Sequence, residues 1–224
     1  MLEGYLQRKA AWEILLKVSS GMYSDLALEK VLSNYKFNSL DIAFITELSF
    51  GCIRYRKLLD YWTDHTSKLN HHKQPPKLRW LLHIGLYQIL KMDKVPDSAC
   101  ISTSVEIAKK TELNKLSGVV NAILRNATRK LQSNNLPKLP KNQAERISLK
   151  ESLPLWLINE MISWFGIVET KKIAMSFNKK PKIDLRINSL KTTIGESLEI
   201  FQNNNIEVEP INNLINGMEL KSKP

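Results

Sequence analysis

Apolar residues recur at helical spacing through almost all of the first 131 positions. In Tyr5–Val18, Leu6, Ala10, Ile14 and Leu15 share one face. Ser24 is placed to cap a short helix that carries Leu28, Val31 and Leu32. Ser39 opens a long run through Ala43, Phe44, Leu48, Phe50 and Ile53, which continues through Tyr55, Leu58, Leu59 and Trp62 to about Thr66. His71–Pro76 reads as a loop, and Pro75-Pro76 suits the first turn of the next helix, through Leu81, Leu82, Leu86 and Ile89. Pro96-Asp97 is a break and a cap before Ile101, Val105 and Ala108. The last helix of this block runs from about Asn114 to Leu131.

Gly51, Gly85 and Gly118 fall inside these helices at spacings of 34 and 33 residues. Leu48 and Leu82 match at one offset, but Lys115 breaks the match, which excludes a helical repeat array. A mid-helix glycine costs about 1 kcal/mol against alanine. Each is therefore expected to admit a closely approaching neighbour, in a compact bundle of crossed helices.

The pattern changes after Leu131. Ser133-Asn134-Asn135, Pro137 and Pro140 mark a linker, placed over residues 132–149. Pro154 starts a helix with Leu157, Ile158, Met161 and Phe165, ending near Gly166, and a second helix carries Ile173, Ala174 and Phe177. Ile183-Asp184-Leu185-Arg186-Ile187 alternates apolar and charged residues, the signature of a half-buried strand. A helix from about Thr193 to Gln202 and a weak strand at Ile206–Val208 follow, and the last ten residues have no later segment to pair with. The expected fold is mainly α: an all-helical bundle over 1–131, then a small, incomplete α+β region over 150–224.

Charge narrows the partners. Lys and Arg number 33 against 22 Asp and Glu, a net charge of +11. Up to residue 132 there are 20 basic and 12 acidic side chains, so most of the excess sits in the helical block. Such a field favours RNA, DNA or an anionic membrane surface. A membrane span is excluded by length: the longest nearly apolar run, Leu81–Leu90, is ten residues and contains His83 and Gln88, where about 20 are needed. No signal pattern opens the chain. Cys52 and Cys100 lie in apolar stretches and read as buried, reduced thiols, so a cytoplasmic location is expected.

Two segments carry candidate chemistry. In Leu48–Lys57, Arg54, Arg56 and Lys57 flank Tyr55 directly after an apolar run. Arginine can bind phosphate with two hydrogen bonds and tyrosine can stack on a base; the alternative is a solvated helix surface with Tyr55 in the core. In Val119–Lys130, Asn121, Arg125 and Thr128 share one helix face, with Val120, Ile123, Leu124 and Ala127 on the other. That polar stripe suits phosphate and base-edge contacts, or structural hydrogen bonds to a neighbouring helix end. His71-His72-Lys73 is adjacent in sequence with no third ligand nearby and reads as a solvated turn. Trp12, Trp62, Trp80, Trp156 and Trp164 sit at helix-periodic positions and are expected in core or interdomain packing. Lys179-Lys180 with Lys182 can either touch phosphate or form a solvated cluster before the strand.

These residues also carry a resemblance. Gln7-Arg8-Lys9-Ala10-Ala11, Leu48–Tyr55, Gly85-Leu86-Tyr87-Gln88-Ile89-Leu90 and Val120-Asn121-Ala122-Ile123-Leu124-Arg125 resemble the NusB family of RNA-binding helical domains. With Leu153-Pro154-Leu155-Trp156-Leu157 and Leu185-Arg186-Ile187-Asn188, residues 8–210 resemble the N-terminal half of the RsmB family of bacterial ribosomal RNA cytosine-C5 methyltransferases. The resemblance implies a NusB-like fold, RNA as the partner (small-subunit ribosomal RNA), and RNA contact by Arg8, Lys9, Arg54, Arg56, Asn121, Arg125, Arg129, Arg186 and Asn188. If ~5 cations of the helical block meet phosphates, the salt slope of binding is expected at about −3 to −4.

In full-length members the resemblance implies methyl transfer from S-adenosylmethionine by two cysteines in Pro-Cys and Thr-Cys contexts. Cys52 follows Gly51 and Cys100 follows Ala99, so neither matches. No two glycines lie closer than Gly4 and Gly21, 17 positions apart, so no Gly-rich cofactor loop is present. These 224 residues are expected to stop before the S-adenosylmethionine domain, to bind no cofactor, and to be inactive alone. The alternative is a NusB-type RNA-binding factor that regulates transcription termination.

Overall fold

A computed structural model describes residues 2–179 and 181–221. Ten α-helices and one three-stranded sheet form among them, a mainly α chain. The helices are α1 (Tyr5–Ser19), α2 (Ser24–Leu32), α3 (Ser39–Arg54), α4 (Arg56–Thr66), α5 (Pro76–Lys91), α6 (Asp97–Lys109), α7 (Ser117–Gln132), α8 (Gln143–Lys150), α9 (Leu155–Phe177) and α10 (Ile194–Asn203). The chain divides into two compact units, one ending at Asn178 and the other beginning at Lys179.

In the first unit α5 is the central helix. Every residue from Trp80 to Gln88 is buried, as expected of a helix surrounded by others. α1, α3, α4, α6 and α7 pack against it. Their apolar stripes form one core that includes Ile14, Leu15, Ile45, Leu48, Leu59, Leu86, Ile107 and Leu124. The long run from Ser39 to Thr66 divides at Tyr55, whose backbone leaves the helical region at φ −97° and ψ 18°. Asn38, rather than Ser39, caps α3 by accepting a hydrogen bond from the Asp41 amide at 2.8 Å. Tyr23 occupies the position assigned to Ser24, with no side-chain cap.

Two of the three helical glycines admit a neighbour. The Tyr87 ring occupies the space where a Gly51 side chain would stand, and the Leu124 methyl groups lie where one on Gly85 would stand. Gly118 faces open space in the first turn of α7, so the close-approach expectation fails there. Gly51→Ala is expected to force the Tyr87 ring aside at a cost of about 1–3 kcal/mol. Chemical denaturation reads this as a lower midpoint, against a slightly higher one for Gly118→Ala, which gains helix propensity with nothing to displace.

Part of the predicted linker is helical. Asn142 caps α8 through the Glu145 amide at 3.2 Å, and Ile147 buries its side chain against Ile158 and Ala174 of α9. The two helices expected on either side of Gly166 form α9, with a kink at that residue (φ 73°, ψ 169°), a conformation open to glycine and strained for others.

The second unit holds strands β1 (Ile183–Arg186), β2 (Val208–Pro210) and β3 (Gly217–Leu220) in the order β1-β3-β2, both pairs antiparallel. Leu185 and Pro210 both face Met218, and Ile183 and Val208 both face Leu220, so one side of the sheet is apolar. With no later segment to pair with, the chain's last described strand pairs upstream instead: β3 is the central strand, between β1 and β2. The weak strand expected at Ile206–Val208 forms two residues later. Thr193 and Glu196 form a reciprocal capping box at the start of α10.

Candidate nucleic-acid interface

The polar stripe of α7 lines a groove. Asn121, Arg125, Thr128, Arg129 and Gln132 form one wall, and Pro96 with Asp97, Ser98, Ile101, Ser102 and Val105 of α6 form the other. The cavity measures about 950 Å³. Its geometry follows from helix periodicity: Val120, Ile123, Leu124 and Ala127 anchor α7 in the core and turn the intervening polar residues outward. The Arg125 Nε donates to Asn121 Oδ1 at 2.9 Å, fixing both side chains and leaving the guanidinium tip to solvent. Arg125 and Arg129 are exposed and Asn121 is half-buried. Ile101, Val105 and Ala122 add apolar surface, while Asp97 places a carboxylate on the α6 wall.

A second, smaller groove of about 430 Å³ shares Pro96 and Ala99 with the first. Gln7, Arg8, Asp41, Phe44 and Lys94 are among its lining residues. Arg8 is only 6% exposed. Its Nε donates to Gln88 Oε1 at 2.6 Å, its Nη1 donates to the Gly4 carbonyl at 3.1 Å, and the guanidinium lies 5.1 Å from the Phe44 ring centre. Burial lowers its pKa from the ordinary arginine value. Arg8 is thus committed to joining α1 to α5 rather than standing on an open cationic face. Lys9 is half-buried and paired with Glu13 at 3.5 Å. Lys94, exposed on the α5–α6 connection, is a cation at the groove that periodicity does not single out, because it lies outside any helix.

Arg54 and Arg56 line neither groove. Both are exposed at the α3–α4 junction, where Arg56 lies 5.6 Å from the Trp80 ring centre and 4.0 Å from Asp60. Lys57 is drawn to Ser148 Oγ of α8, and burial lowers its pKa. Tyr55 is half-buried 6.1 Å from the Tyr87 ring, with Lys91 Nζ 4.3 Å over its own ring, which favours its core role. In the second unit Arg186 and Asn188 are exposed and line a pocket of about 450 Å³ with Ser189, Leu190 and Asn216. Lys179 is exposed and Lys182 pairs with Glu219 at 2.8 Å; Lys180 lies outside the described residues.

A polar network that the sequence reading missed lies beside the core. Asp60 accepts from Arg79 Nε at 2.7 Å and Nη2 at 2.5 Å, and is bonded to His83 Nε2 at 2.9 Å. Burial pushes the Asp60 carboxyl up, but the hydrogen bonds from His83 and Arg79 outweigh it and hold the pKa at about 2. Burial lowers the pKa of His83 despite Asp60. His71 is not a free turn residue: its backbone amide and its Nδ1 both bond to the Asp64 carboxylate, at 2.6 and 2.8 Å. No group of three or more His, Cys, Asp or Glu able to hold a metal occurs among the described residues.

Cys52 and Cys100 are free and buried, as expected. Burial raises the Cys52 thiol well above its ordinary pKa and the Cys100 thiol to about 12. Trp12, Trp62 and Trp80 are in the core, whereas Trp156 and Trp164 are 68% and 65% exposed and lie outside it. No helix among the described residues is long and apolar enough to cross a membrane.

Residues 6–129 match the NusB family, and residues 153–224 match the ferredoxin-like domain of RsmF/B-like methyltransferases. A protein of Synechocystis sp. named "Probable ribosomal RNA small subunit methyltransferase B" is 34% identical over 220 residues, covering 96% of this chain and 48% of the relative. A Bacillus subtilis protein of the same name is 30% identical, covering 90% of this chain and 45% of its own length. The chain thus spans about half the length of the curated relatives it matches. Among solved structures, the fold is similar to that of PH0851, with a TM-score of 0.67 and 17% identity, over all of this chain and 50% of that one.

Proposed function

The chain belongs to the NusB family and carries a ferredoxin-like RsmF/B domain after it, and from that premise we propose that it engages the RNA substrate of small-subunit ribosomal RNA cytosine-C5 methylation. The observation that carries the reading is the convergence of Asn121, Arg125 and Arg129 on one groove with an apolar side. Phosphates belong on the α7 wall, where the two guanidinium groups offer paired donors. They are disfavoured at the α6 wall, where the Asp97 carboxylate repels them and can instead accept from a base amino group. Asn121 has an amide nitrogen to present to a base edge. Arg186 and Asn188 offer a further contact in the second unit.

The chemistry of methyl transfer lies outside this reading. A nucleophilic cysteine must be a thiolate, and burial opposes ionisation of both thiols here. Neither Cys52 nor Cys100 is therefore suited to act as a methyl-transfer nucleophile. The NusB-type termination factor is the weaker reading, because the ferredoxin-like match over residues 153–224 supports a place among the methyltransferases.

Salt dependence tests the interface. With Arg8 buried and Lys9 paired, about three cations of the first unit remain at the grooves: Lys94, Arg125 and Arg129. The logarithm of affinity for single-stranded ribosomal RNA is expected to fall with log salt at a slope of about −2, shallower than five contacts would give. An affinity indifferent to salt sinks the reading.

A further inference from the structure

The two walls of the α6–α7 groove are chemically unlike, and one residue sets the difference. Helices α6 and α7 pack together and are joined by residues 110–116, so they run antiparallel. The start of α6 therefore lies beside the end of α7, which places Asp97 opposite Arg129 and Gln132. Asn121 stands eight residues before Arg129, about 12 Å along the helix, and so meets a different nucleotide.

Asp97 is half-buried, and its carboxylate accepts no hydrogen bond and joins no ion pair among the described residues. The helix dipole favours a carboxylate in a first turn, which accounts for an acidic residue at this position. It does not account for the surroundings. Ile101, four residues on and on the same helix face, gives a base ring apolar surface beside the carboxylate. Pro96 and Ala99, on either side of Asp97 in the chain, line both this groove and the smaller one. A strand that passes from one groove to the other runs over Asp97.

A carboxylate has acceptors and no donor. Cytosine, adenine and guanine each carry an exocyclic amino group that can donate to it. Uracil carries none. Its exocyclic atoms are carbonyl oxygens whose lone pairs oppose the carboxylate, and its ring N–H lies between them. Gln132, exposed at the same end, has an amide nitrogen for the acceptor beside the amino group.

We propose that Asp97 is a specificity-determining residue of the RNA groove, selecting a nucleotide whose base bears an exocyclic amino group and rejecting uracil at the position beside Arg129. The proposal rests on the reading of this groove as an RNA site.

Fluorescence anisotropy with short labelled RNA homopolymers tests it, because a homopolymer presents the same base at Asp97 in every register. The 224-residue chain is titrated with oligocytidine, oligouridine, oligoadenosine and the purine riboside oligomer, which differs from oligoadenosine only by the missing amino group. Cytidine is expected to bind about tenfold tighter than uridine, and adenosine tighter than purine riboside in the same sense. Asp97→Asn, which keeps the side-chain shape and the helix start, is expected to bring each ratio to within about twofold, chiefly because uridine binds tighter once the negative charge is gone. Asp97→Ala should do the same, and urea denaturation checks that each variant is folded. Equal affinity of the native chain for all four oligomers overturns the proposal and leaves the RNA reading standing. So does a loss in both variants that is the same for every oligomer and preserves the ratios, which assigns Asp97 to helix support alone. Binding of no oligomer removes the RNA reading, and the proposal with it.

Discussion

Replacing Asp60 by alanine is expected to destabilise the first unit by about 3 kcal/mol, because it leaves the half-buried Arg79 guanidinium without its counter-charge and the buried His83 ring without its acceptor. Arg79 loses two hydrogen bonds and the fully buried His83 loses the only hydrogen bond its ring makes among the described residues. Asp60→Asn keeps an acceptor and is expected to cost less. Urea denaturation at neutral pH separates the two variants. The same network gives the stability a pH dependence of defined sign. His83 has a folded pKa below its ordinary 6.5, so stability begins to fall as pH drops through that value and the unfolded chain takes up the proton more readily. Asp60, held at about 2, adds a second loss between about pH 4 and pH 2, as the unfolded carboxyl protonates first. In Asp60→Ala the lower phase is expected to disappear. A flat profile between pH 7 and pH 3 in the native chain would contradict the network.

The bundle was legible because its helices are amphipathic and their caps and breaks are local. Pro76, Pro96 and Asn38 act within a turn of the helix they start. The α7 stripe was legible for the same reason, since one helix face carries Asn121, Arg125 and Thr128. Arg8 has a buried position that periodicity carries: it stands three and seven residues before Ala11 and Leu15, both buried, and so shares their face. Its partner Gln88 is 80 residues away and nothing local announces it. The Asp60 network has the same character, with partners 19 and 23 positions downstream. Helix α8 was hidden by the prolines before it, although Asn142 and Glu145 have the spacing of a helix start. Strand β3 is four residues long, too short for alternation to declare it, and is defined by the strands on either side.

Reversing Arg125 and Arg129 together is expected to produce the largest loss of function. Each charge-assisted hydrogen bond to phosphate contributes about 1.5–3 kcal/mol. Removing both and adding two negative charges to the α7 wall is expected to weaken RNA binding by about a hundredfold or more. The fold should be unaffected, since both side chains are exposed and α7 is held by Val120, Ile123, Leu124 and Ala127. Lys30 and Lys36 are equally exposed and line neither groove, so their double reversal changes net charge by the same amount elsewhere. The direct comparison is the affinity of the native chain, Arg125→Glu/Arg129→Glu and Lys30→Glu/Lys36→Glu for one single-stranded small-subunit ribosomal RNA fragment at fixed salt. A loss of about a hundredfold confined to the groove pair is the predicted result, and equal losses in the two double variants would contradict the assignment of the α6–α7 groove.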